Sequence, residues 1–97
     1  MAKKIKWSTR ARREQFAILE YWANRNKSKT YSLKLSREFL DYINLLPNEP
    51  LLGKAASRDN VRFIIVREYL IFYLIMDDYI EIITIWDSRR DPNKLKL

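Results

Sequence analysis

The stretch Ile85-Trp86-Asp87-Ser88-Arg89-Arg90-Asp91-Pro92-Asn93 places two guanidinium groups directly behind an apolar run, Tyr79 to Trp86, that reads as a strand. A strand packed in a sheet fixes the root of such a cluster and leaves its tip in water. Forked, permanently charged donors in that setting suit a phosphate or a carboxylate. The remaining positive charge is segregated too. Residues 1–13 hold Lys3, Lys4, Lys6, Arg10, Arg12 and Arg13 with no acid among them, and residues 53–67 hold Lys54, Arg58, Arg62 and Arg67 against Asp59 alone. With a net charge of +7 distributed this way, the chain is suited to a polyanionic partner, either nucleic acid or an acidic protein. The plain alternative is a soluble basic surface.

Other chemistries lack their residues. The chain has no histidine and no cysteine, which removes disulfides, thiol catalysis, zinc sites and imidazole acid–base work. The adjacent carboxylates Asp77-Asp78 read as a hairpin turn rather than a hard-cation site, so neither metal nor cofactor is expected. The longest apolar stretch, Tyr69 to Met76, falls far short of the roughly 20 residues a membrane helix needs. The opening Met1-Ala2-Lys3-Lys4-Ile5-Lys6-Trp7 has a basic start without an apolar region behind it, so it does not read as a secretory signal. These features lead to the expectation of a cytoplasmic protein with no membrane partner.

The elements that must position the basic residues follow from hydrophobic spacing. At 97 residues the chain makes one domain, 1–97, with a single core. Lys4 to Trp7 alternates as an edge strand would, and Ser8 or Thr9 offers a helix N-cap. Ala11, Gln15, Ile18, Leu19 and Trp22 share one face of the helix that follows, which should fail near Asn24 to Asn26. Ser28 or Thr30 begins a second helix with the stripe Tyr31, Leu35, Phe39, Tyr42, Ile43 and Leu46, stopped by Pro47. Pro47 to Asn60 is a loop carrying Pro50 and Gly53. Val61 to Arg67, Tyr69 to Met76 and Tyr79 to Trp86 then read as strands joined at Arg67-Glu68 and Asp77-Asp78. The middle one is apolar on both faces and should lie centrally. The expected fold is α+β, in the order β-α-α-β-β-β, with a helical hairpin on a small, mainly antiparallel four-stranded sheet. Trp7, Trp22 and Trp86 fit core packing, with Trp86 the one expected to be partly exposed.

That order resembles the RelE/ParE superfamily of toxins. Ile5-Lys6-Trp7-Ser8 resembles the opening strand and cap of the family, and Tyr21-Trp22 with Ser28 and Tyr31-Ser32 is similar to the helix junction of its plasmid-stabilisation members. Pro50-Leu51-Leu52-Gly53 resembles its proline–glycine loop. Val61-Arg62-Phe63, Tyr69-Leu70-Ile71-Phe72-Tyr73 and Ile85-Trp86-Asp87-Ser88-Arg89 are similar to its three C-terminal strands. The resemblance implies the toxin of a type II toxin–antitoxin system, partnered by an acidic antitoxin and able to form a hetero-oligomer with it.

Two activities are implied. RelE-like members cut ribosome-bound mRNA as metal-independent endoribonucleases, or mRNA interferases, and need positive charge where the phosphorane forms. By position the resemblance assigns that role to Arg62 and Arg89 (or Arg90), with Lys54 in the loop; Arg62 pairing with Asp87 or Glu81 is the structural alternative. No tyrosine or histidine follows Tyr79 to handle protons, and arginine, with a pKa above about 12, is a poor shuttle. ParE-like members inhibit DNA gyrase by binding and need no acid–base pair, and the chain leans toward them. On that reading Arg58, Arg62, Trp86, Arg89 and Arg90 form the target surface. A non-toxic basic nucleic-acid module is the third reading. All site readings expect Lys54, Arg62 and Arg89 to converge at one end of the sheet.

Overall fold

The computed structural model describes residues 3–97, so part of the basic opening stretch, Met1 and Ala2, lies outside it. The first strand, β1 (Lys4–Trp7), turns Ile5 and Trp7 onto the core and Lys4 and Lys6 to solvent. Ser8 then does two jobs. Its hydroxyl oxygen accepts the Ala11 N–H at 2.9 Å, capping helix α1 (Thr9–Asn26), and the hydroxyl donates to the Ile83 carbonyl at 2.7 Å. The helix is thereby tied to the sheet at its first turn.

Helix α1 ends because Lys27 adopts the left-handed conformation, with φ 50°. The Ser28 N–H reaches back to the Ala23 carbonyl and the Lys27 N–H to that of Asn24, the paired bonds of a Schellman cap. Three residues later α2 (Thr30–Ile43) begins. Lys29 holds its cap position, while Ser28 Oγ receives the Thr30 N–H at 3.2 Å. Past Ile43 the chain tightens into i→i−3 bonds, Leu45 to Tyr42 and Leu46 to Ile43, which carry Leu46 into the core ahead of Pro47. Of the α2 stripe, Leu35, Phe39, Ile43 and Leu46 are buried, Tyr31 packs at the margin, and Tyr42 is 45% exposed. Tyr42 is displaced because the buried residues already occupy one line along the helix, and its position rotates it off that line.

The sheet has five strands rather than four, in the order β1-β5-β4-β3-β2. The additional strand, β2 (Lys54–Ala55), is two exposed residues paired with β3 (Val61–Val66), too short to leave a periodic signal. β4 (Tyr69–Ile75) lies centrally, as its two apolar faces require, antiparallel to β3 and to β5 (Tyr79–Asp87). Only β1 with β5 is parallel. Tyr69, Ile71, Tyr73 and Ile75 of β4 join the core beneath the helices, with Phe39, Leu35 and Ile43 above. Burying side chains of this size contributes about 1.5–3 kcal/mol each. Leu70, Phe72 and Leu74 face the opposite side, where Leu95 and Leu97 of the C-terminal tail pack against the cluster of Val61, Phe72 and Trp86. None of the described helices is long and apolar enough to cross a membrane.

β5 carries a bulge. Phe72 opposes Thr84 but Tyr73 opposes Ile82, leaving Ile83 as the extra residue where β1 stops at Trp7. Beyond that point the outer edge of β5 loses its neighbouring strand, and Glu14 of α1 takes over. Its carboxylate accepts from the Thr84 hydroxyl at 2.6 Å and from the Ile85 N–H at 3.1 Å.

Candidate functional site

The pairing register separates the basic residues into two groups. Arg62 of β3 is opposite Tyr73, which is opposite Ile82; Asp87, the root of the arginine tail, is opposite Tyr69. Tyr69 and Tyr73 are four residues apart on one strand, about 13 Å, and two strand spacings add about 10 Å sideways. Arg62 and Arg89 therefore stand at opposite ends of the sheet. Lys54, Arg62 and Arg89 do not share one groove, contrary to the sequence-based expectation, because β3 and β5 run in the same direction and carry their arginines at opposite termini.

At the end of β5, Arg89 folds back onto Asp87. Its Nε and one terminal nitrogen donate to the two carboxylate oxygens at 3.0 and 2.7 Å, and its backbone N–H adds a bond at 2.9 Å. The guanidinium holds the Asp87 carboxyl below the usual carboxylate range, and the carboxylate in turn raises the Arg89 pKa. Arg90 lies over the Trp86 ring, 4.1 Å from its centroid. Trp86 itself is only 3% exposed, so it is the most enclosed tryptophan rather than the most accessible. Arg90 covers it and Leu95 and Leu97 of the tail pack against the cluster it forms with Val61 and Phe72, whereas Trp7 and Trp22 stay half-buried.

Beside this corner a groove of about 420 Å³ runs between α1 and β5. Glu14, Ile18 and Tyr21 form its helical wall, Tyr69 and Ile85 its floor, and Arg89 its rim. The Tyr69 hydroxyl accepts the Trp22 indole N–H at 2.8 Å, and burial pushes its pKa up. Tyr21 projects from α1 at 52% exposure, an aromatic surface in the groove that Arg89 and Arg90 also line. Sequence reasoning missed Glu14 and Tyr69 as parts of this place. A helical glutamate and a strand tyrosine carry no local signal that they meet across 55 residues.

At the start of β3 the arrangement is different. Arg62 donates to the Gly53 carbonyl at 2.7 Å and makes no ion pair with Asp87 or Glu81. It lines a polar pocket of about 230 Å³ together with Arg58, Asp59 and Asn60. The loop bearing Gly53 is strapped to the sheet by Tyr73, whose hydroxyl donates to the Pro50 carbonyl at 2.7 Å and accepts the Gly53 N–H at 2.9 Å. Gly53 has no room for a side chain, since a Cβ there would sit 2.6 Å from the Phe63 carbonyl oxygen and 2.8 Å from the Tyr73 hydroxyl. Burial pushes the Tyr73 pKa up, so this hydroxyl is both occupied and a reluctant proton donor. Lys54, exposed on β2, lines a separate groove along the free side of β3. Among the described residues no group of three or more acidic side chains is placed to hold a metal ion.

Comparison with known proteins agrees with this architecture. The chain has the fold of a structure of the chromosomal ParDE toxin–antitoxin system from P. aeruginosa, with a TM-score of 0.75 at 16% identity over 87% of this chain and 94% of that one. It is less similar to a chain of the E. coli DinJ-YafQ toxin-antitoxin complex, with a TM-score of 0.55 at 12% identity over 88% of this chain and 91% of that one. No match is found among curated protein sequences. The family model of the ParE toxin of the type II toxin–antitoxin system parDE matches residues 5–92, nearly the whole chain. With its helical hairpin, its five-stranded sheet and that match, the chain belongs to the ParE toxin family.

Proposed function

We propose that this chain arrests growth by binding DNA gyrase, and that an acidic antitoxin silences it by seating a segment in the groove between α1 and β5. The observation that carries the reading is the groove itself: apolar walls from Ile18, Tyr21 and Ile85 with an arginine rim. An amphipathic segment with acidic residues on one side would bury its apolar side chains there and pair with Arg89 and Arg90. Inhibition by binding needs a shaped, charged surface and no proton transfer. The separation of Arg62 from Arg89 supports it, because these two cannot clamp one phosphate.

Ribosome-dependent RNA cleavage is the second reading, supported by Arg58 and Arg62 lining one pocket. Two guanidinium groups there would hold a phosphate, but general acid–base work has no ready agent. Tyr73 is tied to Pro50 and Gly53, and Lys54 belongs to a different groove.

The two are separated with purified protein. Gyrase supercoiling assays should show stalled cleavage complexes, while ribosome-bound mRNA stays intact and Arg62→Ala remains toxic in cells. Uninhibited gyrase, together with mRNA cleavage that Arg62→Ala abolishes, would replace the proposal with the nuclease reading. Co-expression of an acidic antitoxin should restore growth, and Ala17→Arg, which projects a cation and bulk into the groove, should weaken that rescue at least tenfold.

A further inference from the structure

The second half of β3 has an edge without a neighbour. β2 pairs only with Arg62 and Phe63, so among the described residues no strand lies beyond Ile64, Ile65 and Val66. Alternation fixes which backbone groups face that side. The Val61 carbonyl accepts the Ala56 N–H at 2.9 Å, and the Phe63 carbonyl faces Gly53. Two residues further on, Ile65 turns its N–H and its C=O to the same open side. Neither has a bonding partner there among the described residues.

Alongside this edge runs a groove of about 280 Å³ whose walls include Tyr42, Leu45, Leu52 and Ile64. Tyr42, Leu45, Leu52 and Ile65 are each between 45% and 50% exposed, and they come from the helix end, the loop and the strand. Edge strands are ordinarily blunted by a lysine, a proline or a covering element, and Ile64–Val66 has none of these. The charge around it is also distinctive. Among the described residues that line the groove only Lys54 is charged, and Glu38, on the helix above, is already paired with Arg67. The strongly basic Lys3–Arg13 stretch belongs to β1 and α1, at the other edge of the sheet.

We propose that this face binds a second copy of the chain, which adds its own β3 antiparallel to the first about a two-fold axis at Ile65. A single residue that presents both donor and acceptor is self-complementary, so the two Ile65 residues exchange both hydrogen bonds. Tyr42, Leu45 and Leu52 of each copy close over the join, where little charge opposes contact, and the two basic edges point away from each other. The surface is separate from the α1–β5 groove and does not depend on what the toxin inhibits.

Sedimentation equilibrium of the full chain from micromolar to submillimolar concentration tests it. The mass should rise from 11.8 kDa toward twice that value, and Ile65→Lys should hold it at the monomer mass with an unchanged far-ultraviolet circular dichroism spectrum. Because the chain has no cysteine, Ile65→Cys provides a unique thiol. Directly paired residues bring their Cα atoms to about 5.5 Å, within disulfide reach, so oxidation should yield a covalent dimer. Met76→Cys, exposed at the β4–β5 turn, should remain monomeric under the same conditions. A wild-type chain that stays monomeric throughout overturns the proposal, as does a dimer that Ile65→Lys leaves intact. Antitoxin binding by a monomeric toxin that is lost in Ile65→Lys overturns it in favour of a strand donated by the antitoxin.

Discussion

At the exit of β5, Arg89 grips Asp87 through both carboxylate oxygens and Arg90 lies over a buried tryptophan, whereas at the start of β3 Arg62 is held by the Gly53 carbonyl and Arg58 has no ion pair among the described residues. The difference concerns how much charge each end still offers. A guanidinium locked to a carboxylate is locally neutralised, and an incoming anion must compete with that carboxylate. One anchored on a neutral carbonyl keeps its full charge while its position is fixed. The β5 end thus offers mainly shape and apolar contact, with charge at the rim. The β3 end holds Arg58 and Arg62 with Asp59 in a small, mainly polar pocket.

Four substitutions and titrations bear on this contrast. The largest effect is expected from Trp86→Ala, which removes a buried ring beneath Arg90 and should cost about 3–5 kcal/mol in urea denaturation. A near-neutral result would show that the β5 corner is a surface feature and would undo its description as a packed platform. Gly53→Ala comes next. The close approach of Phe63 and Tyr73 predicts a loss of about 1–3 kcal/mol and displacement of the carbonyl that anchors Arg62. Tyr73→Phe should cost about 1–2 kcal/mol, since it leaves the Gly53 N–H without its acceptor and the Pro50 carbonyl without its donor. If stability falls in both loop variants while gyrase inhibition per folded molecule is unchanged, the β3 pocket is not part of the target surface.

The smallest effect is in the acid limb. Because the folded-state Asp87 pKa is lowered, its contribution to stability is present above the ordinary aspartate value of about 3.9 and lost as pH falls through the depressed one. Asp87→Asn should flatten that part of the stability profile. It should also free Arg89, making antitoxin binding at the groove more salt-dependent. The tyrosines have the opposite sign. Burial raises the Tyr73 pKa, so its contribution holds below about 10 and disappears as pH rises through the folded value. Tyr73→Phe should remove that alkaline step.

Much of the fold was legible in the sequence. The 3.6-residue spacing of Leu35, Phe39 and Ile43 and the doubly apolar Tyr69–Ile75 run reported the second helix and the central strand directly, because such periodicities record which faces are buried. Pro50 and Gly53 marked the loop. The two-residue β2 strand was not legible, being set by pairing with Arg62 and Phe63 and not by its own side chains. The fate of Trp86 was also hidden. Its place near the end of a strand suggested exposure, but Arg90 lies over it and the tail packs against its cluster through contacts that no local pattern encodes.

The sequence by itself determined the order of elements, the residues that bury, the absence of thiol and imidazole chemistry, and the segregation of positive charge. Which charges meet was decided by the tertiary structure alone. Strand direction sent Arg62 and Arg89 to opposite ends, the bulge at Ile83 and the carboxylate of Glu14 finished the edge of β5, and the shortness of β2 left Ile65 open. Periodicity reports whether a side chain faces the core. It has no information about register or direction, and these depend on backbone hydrogen bonds between segments far apart in the chain.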